Sequence, residues 1–299
     1  MNTTITLQMK QTDSDRLFQA FQETECKAPQ YAAWQLRPEG CVITCYKSGK
    51  VVFQGKDAEV YAAPFQNSAS PARKTVSGHV SASRAAETGQ QYPQAGSDEV
   101  GTGDYFGPVC VSAVIVTEED SRILAELGAR DSKQVDDALI RKIAPEIKKR
   151  MVHTVMFVNP AKYNQIHEHC NLNAIKAKLH NQAYRNLMAK AELPSFCMVD
   201  QFAPESLYYH YLRDEPKVVC GLHFETKAED RYPAVGAASI LARDAFLEYM
   251  DRMSEFYDME FARGSGPNAD RCAREFVRRY GREKLGEVAK LHFKNTEKL

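Results

Sequence analysis

The sequence lacks the signals that would place it in a membrane or secreted class. No stretch is long and apolar enough to span a membrane, and the first ten residues, MNTTITLQMK, lack the apolar core of a signal peptide. The formal net charge is zero, so no global field points to a polyanionic partner, although a local basic patch can still bind one. These absences predict a cytoplasmic protein with no membrane partner.

The cysteines show neither a CxxC pair nor the spacing of zinc ligands. Cys110, Cys197 and Cys220 lie in apolar runs, where a reduced, buried thiol behaves as a small hydrophobe, and this usage favours a reducing compartment. A GxSxG nucleophile motif is also absent. Since His167 and His169 are two residues apart, they do not share a helix face. We expect these two histidines, with His153 and His180, to be structural residues rather than metal ligands.

What the sequence does contain is the glycine-rich segment GSDEVGTGDYFGP at residues 96–108. Two adjacent acids, Asp98 and Glu99, precede its glycines, and the apolar run Val109–Val116 that follows is typical of a buried strand. A hard divalent cation is the usual reason to place neighbouring carboxylates at a strand end, and glycines let a backbone approach a ligand closely. For this pair alone, an acidic turn between two strands is the favoured interpretation.

Residues 1–66 predict a small β-α-β-β unit with a helix at its end. A strand is expected at 3–9, a helix from Asp13-Ser14 to about Lys27, a hairpin of 40–47 and 50–54, and a short helix at 56–62. The hairpin carries Lys47 and Lys50, together with Lys56, Tyr46 and Phe53. Basic and aromatic residues on one sheet face suit a nucleic-acid platform, and a solvated hairpin with ordinary surface lysines is the alternative.

Residues 67–95 are rich in Ser, Ala, Gln and Gly, which predicts a flexible linker because few large apolar side chains can be buried. The larger domain, 96–299, then alternates between strands and helices and predicts an α/β fold. Strands are expected at 109–116, 151–158, 196–199 and 217–220. Helices are expected at 118–127, 136–150, from 160, and at 171–191, 234–249 and 268–280.

Two further acids complete a candidate site in this domain. Asp200 follows the apolar run Phe196-Cys-Met-Val, and the carboxyl end of a strand is where α/β sheets bind ligands. Glu229 lies just before a helix rich in small residues. Alone, each of the two is better explained as a solvated loop acid. Together with Asp98 and Glu99 they fit a site in which two Mg²⁺ ions support cleavage of a phosphodiester.

Four sequence motifs, taken together, are specific for one protein family. GSDEVGTGDYFGP, DSK at 131–133, MVDQF at 198–202 and TKAEDRYPAVGAASILARD at 226–244 resemble ribonuclease HIII, a bacterial branch of the type 2 ribonucleases H. The resemblance runs in order across 95–299, and 1–66 resemble that family's TATA-binding-protein-like substrate-binding domain. It implies an RNase H-like mixed central sheet with flanking helices. It also implies Mg²⁺- or Mn²⁺-dependent cleavage of RNA in RNA/DNA hybrids, leaving 5′-phosphate and 3′-hydroxyl ends.

The resemblance also assigns residues. It implies that Asp98, Glu99, Asp200 and Glu229 bind the metal ions, and a glutamate in the fourth place favours ribonuclease HIII over HII. In the relatives, the GTG segment, here Gly101, Thr102 and Gly103, places backbone groups against 2′-hydroxyls, which distinguish RNA from DNA. The matching motifs add further candidate substrate-binding residues: Ser132, Lys133, Lys227 and Ser239.

The sequence therefore predicts a monomeric, two-domain ribonuclease of the HIII type. Three alternatives remain open at this stage. One is an enzyme of the HII type that cuts at single ribonucleotides in duplex DNA, for which we find no counterpart of the C-terminal tyrosine of ribonuclease HII. The second is a hybrid-binding protein without catalysis, which would gain nothing from keeping four acids together. The third is another RNase H-fold nuclease, such as a resolvase acting on branched DNA.

Overall fold

The structure, a computed structural model, describes residues 3–66, 91–129 and 136–299. Most of the predicted linker and the predicted phosphate contacts Ser132 and Lys133 therefore lie outside the described residues. The described residues form two compact units. The first contains those before Tyr92 together with Phe202–Arg213, and the second contains those of Tyr92–Gln201 and Asp214–Leu299. The limits of the predicted domains stay a prediction.

The first unit is a five-stranded antiparallel sheet with helices on one face. Its strands, in the spatial order β1-β5-β4-β3-β2, are β1 Thr3–Gln8, β2 Glu25–Cys26, β3 Ala32–Leu36, β4 Val42–Tyr46 and β5 Lys50–Gly55. Its helices are α1 Gln11–Phe21, α2 Ala58–Gln66 and α7 Glu205–Tyr211, which packs on α2. The predicted small α+β unit is confirmed.

Alternation along the strands separates an apolar face from a polar one. Ile43, Val51 and Phe53 are fully buried, while Leu17 and Phe21 of α1 are buried as well. On β1 and β5 the alternate positions are exposed, because successive side chains of a strand point to opposite faces. The exposed side chains of these two strands are polar: Thr4, Thr6, Gln8, Lys50 and Gln54. We call this set the polar sheet face.

Three predictions for this unit are wrong in detail. The first helix ends at Phe21 rather than Lys27, because Glu25 and Cys26 pair with β3 as a strand. Strands β2 and β3 were not predicted, since one is two residues long and the other, AAWQL, has weak strand propensity. Phe53 does not share a face with Lys50, because it is fully buried in the core.

The second unit is built on the predicted mixed sheet, in the order β10-β9-β6-β7-β8. Strand β6 pairs antiparallel with β7 and parallel with β9, while β7–β8 is antiparallel and β9–β10 parallel. The strands are β6 Gln94–Val100, β7 Val109–Val116, β8 His153–Val158, β9 Phe196–Asp200 and β10 His223–Glu225. The first of them begins at Gln94, so the last two residues of the predicted linker are strand residues.

Helices flank this sheet, mostly where the sequence predicts them. They are α3 Glu118–Glu126, α4 Asp137–Arg150, α5 Pro160–His167, α6 Leu172–Met188, α8 Pro233–Phe256, α9 Pro267–Tyr280 and α10 Leu285–Val288. Side chains of Thr117, Asp136, Asn159 and Asn171 cap four of them by accepting a backbone N–H bond. Pro145 lies inside α4 without ending it.

The predicted strand at 217–220 is wrong. Asn181 of α6 donates its side-chain amide to the carbonyl of Lys217 at 2.9 Å and accepts the N–H of Val219 at 2.9 Å. These backbone groups are thus satisfied by a side chain instead of a neighbouring strand. The strand begins six residues later, at His223–Glu225, where the chain runs beside β9, and Cys220, expected to be buried in an apolar run, is exposed.

The small residues of α8 let this helix lie directly on β6. A Cβ added to Gly96 would be 2.5 Å from the carbonyl carbon of Ala234 and 2.8 Å from the Cα of Val235. These are backbone atoms, which cannot move aside as a flexible side chain would. The distance between β6 and α8 therefore depends on the glycine at this position.

We expect Gly96→Ala to destabilise the protein by roughly 3 kcal/mol, because the methyl group forces α8 away from the sheet. Urea unfolding followed by circular dichroism measures this change. The matched control is Gly103→Ala, at a position where an added Cβ has no atom within 4 Å; it should change stability by less than about 1 kcal/mol. Equal stability of the two variants would contradict the proposed close packing.

Candidate active site

Two parallel strands bring three of the predicted acids to one edge of the sheet. Ser97 of β6 lies opposite Val199 of β9, so Asp98 and Asp200 follow at the same level. Glu229 lies in the short 3-10 turn Ala228–Asp230 that precedes α8. The N–H of Ala228 donates to Asp200 Oδ1 at 2.9 Å, which ties this turn to the end of β9. The sheet edge and the turn thus position the acids independently of the loops beyond them.

Asp98 is buried, with 7% of its surface exposed. Its Oδ1 accepts the backbone N–H of Glu99 at 2.7 Å, and the side chain of Ser239 on α8 also donates to it. Burial raises the pKa of Asp98 well above its usual range, and the negative charges of Glu99 and Asp200 raise it further. Both of its donors are neutral groups, so they do not balance a negative charge on this carboxyl group.

Glu99 points to the opposite face of the sheet, where α6 supplies two partners. Lys176 Nζ lies 2.6 Å from Glu99 Oε1, and His180 Nε2 lies 2.8 Å from Oε2. His180 is itself held by Ser97, whose Oγ is 2.8 Å from Nδ1. Burial alone would raise the pKa of Glu99, but the Lys176 ammonium and His180 lower it to about 2. Both carboxylate oxygens of Glu99 are thus engaged by the protein.

The carboxyl groups of Asp200 and Glu229 have fewer hydrogen-bond partners than that of Glu99. Burial raises the pKa of Asp200 to about 7; the N–H of Ala228 opposes the rise, whereas the charges of Glu229 and Glu99 add to it. The Oε2 atom of Glu229 is buried and accepts no hydrogen bond. An orphaned carboxylate oxygen among other carboxylates has the chemistry of a ligand for a hard divalent cation. The residues present therefore fit Mg²⁺ or Mn²⁺.

The four acids are neighbours but do not form a closed coordination shell. Within 3–66, 91–129 and 136–299, no three of their carboxylates bring ligand oxygens within 4.8 Å of one another. The interactions of Glu99 with Lys176 and His180 explain part of this spacing, because they hold its carboxylate on the α6 side.

The glycine loop, residues 101–108, follows the acids directly. Gly101 has φ +96°, and an added Cβ would overlap the carbonyl oxygen of Pro108. Glycine is therefore required at this position by the fold. Gly103 differs, because it is exposed and an added Cβ would meet nothing within 4 Å. Thr102 between them is half-buried.

The other predicted substrate-binding residues lie at different places. Ser239 bonds to Asp98, and Lys227 is exposed in the left-handed conformation, with φ 58°, at the start of the turn that carries Glu229. Lys47 and Lys50 are exposed in the first unit. Lys176 and His180 were not predicted as site residues. The sequence feature that could have indicated them is a pair of polar residues one helical turn apart on the buried, mostly apolar face of α6.

Comparison with known proteins agrees with this geometry. The family model described as Ribonuclease HII matches residues 95–296, and one described as Domain of unknown function (DUF3378) matches residues 4–77. A crystal structure of Bst-RNase HIII in complex with Mn²⁺ is 37% identical, covers 99% of this chain and 97% of that one, and has a TM-score of 0.68. The structure of Aquifex aeolicus RNase H3, 21% identical with a TM-score of 0.55, supports the fold alone. The fold and the match together define a nuclease of the ribonuclease H class.

Curated relatives narrow the assignment. Ribonuclease HIII of Bacillus mycoides is 37% identical over 305 residues, covering 100% of this chain and 98% of that protein. Ribonuclease HIII of Exiguobacterium sibiricum is 37% identical over 298 residues, covering 99% and 96%. The chain belongs to the ribonuclease HIII family. It is accordingly a metal-dependent endonuclease that hydrolyses the RNA of RNA/DNA hybrids.

The pKa of Asp200 predicts how stability depends on pH in the metal-free protein. Its folded-state pKa of about 7 lies above the ordinary 3.8, so the folded state binds more protons than the unfolded state between these values. Stability should therefore fall as pH rises from about 4 to about 7 and then level off. Asp200→Asn should remove this contribution, which is at most about 4 kcal/mol.

Urea unfolding in EDTA, across that pH range, measures the difference between the two proteins. The raised pKa of Asp98 acts in the same direction in both proteins, so the difference reports Asp200 together with its repulsion of Asp98. The low pKa of Glu99, about 2, makes stability rise with pH up to about 5, and this contribution is present in both proteins. Parallel stability curves for the parent and Asp200→Asn would contradict the raised pKa.

Proposed function

We propose that Asp98, Glu99, Asp200 and Glu229 bind the divalent metal ions with which this enzyme cleaves the RNA strand, leaving 5′-phosphate and 3′-hydroxyl ends. The observation that carries this proposal is the group of buried and half-buried carboxyl groups at the sheet edge and the adjoining turn, where the pKa values of Asp98 and Asp200 are raised and Glu229 Oε2 has no hydrogen-bond partner. When bound, two Mg²⁺ or Mn²⁺ ions supply an activated water molecule and stabilise the leaving oxygen.

The protein's own residues orient this set of ligands. Ser239 and the N–H of Glu99 fix the carboxyl group of Asp98, and the N–H of Ala228 fixes that of Asp200. Lys176 and His180 hold Glu99 as an anion in a buried place where it would otherwise take up a proton. Such outer partners restrict ligand orientation before the metal binds, which favours binding in one geometry.

The glycine loop is proposed to lie against the 2′-hydroxyls of the RNA strand. Gly103 supports this assignment, because the protein's own packing gives no reason for a glycine there. A backbone without a side chain can come within hydrogen-bonding distance of ribose. We assign phosphate contacts on the same strand to Ser132, Lys133 and Lys227, the last being exposed beside Glu229.

The first unit is proposed to bind the hybrid through the polar sheet face and the adjoining turn. Lys50 lies on that face and Lys47 lies in the turn, and both are exposed. With Phe53 buried, hydrogen-bonding and basic groups rather than stacked aromatic rings would bind the hybrid. Such binding contacts the phosphate groups of the backbone, and its affinity therefore falls as the salt concentration rises.

We further propose that the enzyme works as a monomer in the cytoplasm. All eight cysteines, at 26, 41, 45, 110, 170, 197, 220 and 272, are free thiols, which suits a reducing compartment. None of the helices in the described ranges is long and apolar enough to cross a membrane. Light scattering coupled to size-exclusion chromatography tests the monomeric state.

Asp98→Asn should lower cleavage of an RNA/DNA hybrid by at least about a thousandfold while hybrid binding survives, because a neutral amide is a poor ligand for a hard cation. The assay uses a labelled hybrid with Mg²⁺, with Mn²⁺ and with EDTA, beside a duplex that contains one ribonucleotide. Asp251→Asn, at an exposed residue of α8 that pairs with Arg141, is the matched control. Normal cleavage by Asp98→Asn would overturn the site assignment, and cleavage of the single-ribonucleotide duplex alone would indicate activity of the HII type.

Replacing Lys47 and Lys50 together with alanine should raise KM for the hybrid with little change in kcat. The salt dependence of binding should also weaken, because the slope falls by about one for each phosphate that a lysine no longer neutralises. The control removes two exposed lysines of α4, Lys142 and Lys149, which lie in the second unit. An unchanged KM and salt slope in the Lys47 and Lys50 variant would remove the binding role from this face.

A further inference from the structure

A fully buried lysine connects the C-terminal segment to the glycine loop. Lys290 has none of its surface exposed, and it follows α10 in the chain. Its ammonium group donates to the carbonyl oxygens of Asp104 and Gly107 at 2.7 Å each and lies 3.5 Å from that of Phe106. All three acceptors belong to the loop that begins with Gly101.

The backbone strengthens the same connection. The N–H of Lys290 donates to the carbonyl of Tyr105 at 2.9 Å, and the N–H of Gly107 donates to that of Val288 at 2.9 Å. On its other side the loop is fixed by Asp104, whose Oδ1 accepts the N–H of Gly264 at 2.6 Å. The loop therefore takes most of its hydrogen bonds from segments distant in sequence.

Within the loop there is little to hold its shape. In the part of the chain that the structure describes, one backbone hydrogen bond joins two of its residues, from the N–H of Asp104 to the carbonyl of Gly101, and it is 3.4 Å long. Gly101 and Gly107 both have positive φ in the folded protein. Because glycine has no side chain, these residues lose more conformational entropy on folding than other residues would. The conformation of the loop thus depends on the groups that bind its carbonyl oxygens.

Burying an ammonium group in the protein interior is energetically unfavourable. Burial lowers the pKa of Lys290 to about 7, and the carboxylate of Asp104 opposes this shift. A methionine would fill nearly the same volume with no charge to bury. What the lysine provides instead is several N–H donors at one point, directed at three carbonyl groups of the same loop.

We propose that Lys290 is a positioning residue that fixes the glycine loop in the conformation needed to recognise ribose. This inference rests on the proposed function, in which the loop lies against the RNA strand. It assigns specificity for RNA partly to a residue in the C-terminal segment that the substrate does not touch.

The test compares Lys290→Met with the parent protein and with Lys294→Met, which makes the same change at an exposed lysine of the same segment. Binding to a hybrid and to a DNA duplex of the same sequence is measured in EDTA by fluorescence anisotropy. We expect the preference of Lys290→Met for the hybrid to fall about tenfold, as the loss of one hydrogen bond to a charged group implies. In Mn²⁺, KM should rise by a similar factor while kcat changes little.

A second measurement does not depend on nucleic acid. Hydrogen exchange of the peptide covering 101–108 should become at least about tenfold faster in Lys290→Met, with no change in α4. Should Lys290→Met fail to fold, Lys290→Gln, which removes the ammonium group but keeps a polar side chain, is measured in its place and should give the same pattern.

The outcomes separate the two proposals. A parent protein that binds hybrid and DNA duplex equally well would overturn the proposed role of the loop and this inference with it. A parent protein that prefers the hybrid, with an unchanged preference in folded Lys290→Met or Lys290→Gln, would overturn the role of Lys290 alone. Loss of preference in Lys290→Met, with Lys294→Met like the parent, would establish it.

Discussion

The mutual repulsion of carboxylates is the constraint on which the second unit depends. Parallel pairing of β6 with β9 places Asp98 and Asp200 at one level, and the turn before α8 adds Glu229. Without a cation, burial and then mutual repulsion raise the pKa values of Asp98 and Asp200, and this weakens the fold around them at neutral pH. The protein tolerates this because β6 lies in the middle of the sheet, packed against α8 on one face and α6 on the other.

Asp98 and Glu99 lie on opposite faces of β6 and have different neighbouring groups. On the α8 side, the first turns of the helix consist of small residues, and Asp98 accepts a hydrogen bond from the hydroxyl group of Ser239. On the α6 side Glu99 receives a full ammonium group and an imidazole. Adjacent residues with opposite orientation thus have opposite pKa shifts, although both are buried. This division follows directly from the alternation of side chains along a strand.

Much of the fold could be predicted because long periodic segments dominate the second unit. Helix α8 and strand β7 are examples in which small-residue or apolar patterns leave one interpretation. The errors lie where tertiary partners replace local preference. Asn181 binds the backbone at 217–219 in place of a strand, and β2 exists only by pairing with β3. The proximity of the four acids was predictable from the motifs. The contacts of Lys176, His180 and Lys290 were not, because their partners are distant in sequence.

The grouping of Phe202–Arg213 with the first unit affects the order in which the protein can fold. The chain leaves the second unit just after Asp200, supplies α7 to pack on α2, and returns at Asp214. During synthesis the amino-terminal residues emerge first, yet the surface of α2 that α7 covers stays uncovered until residue 213 has been made. By then β6, β7 and β9 are already present but α8 and α9 are not, so the first unit can complete its core while the second is still being made.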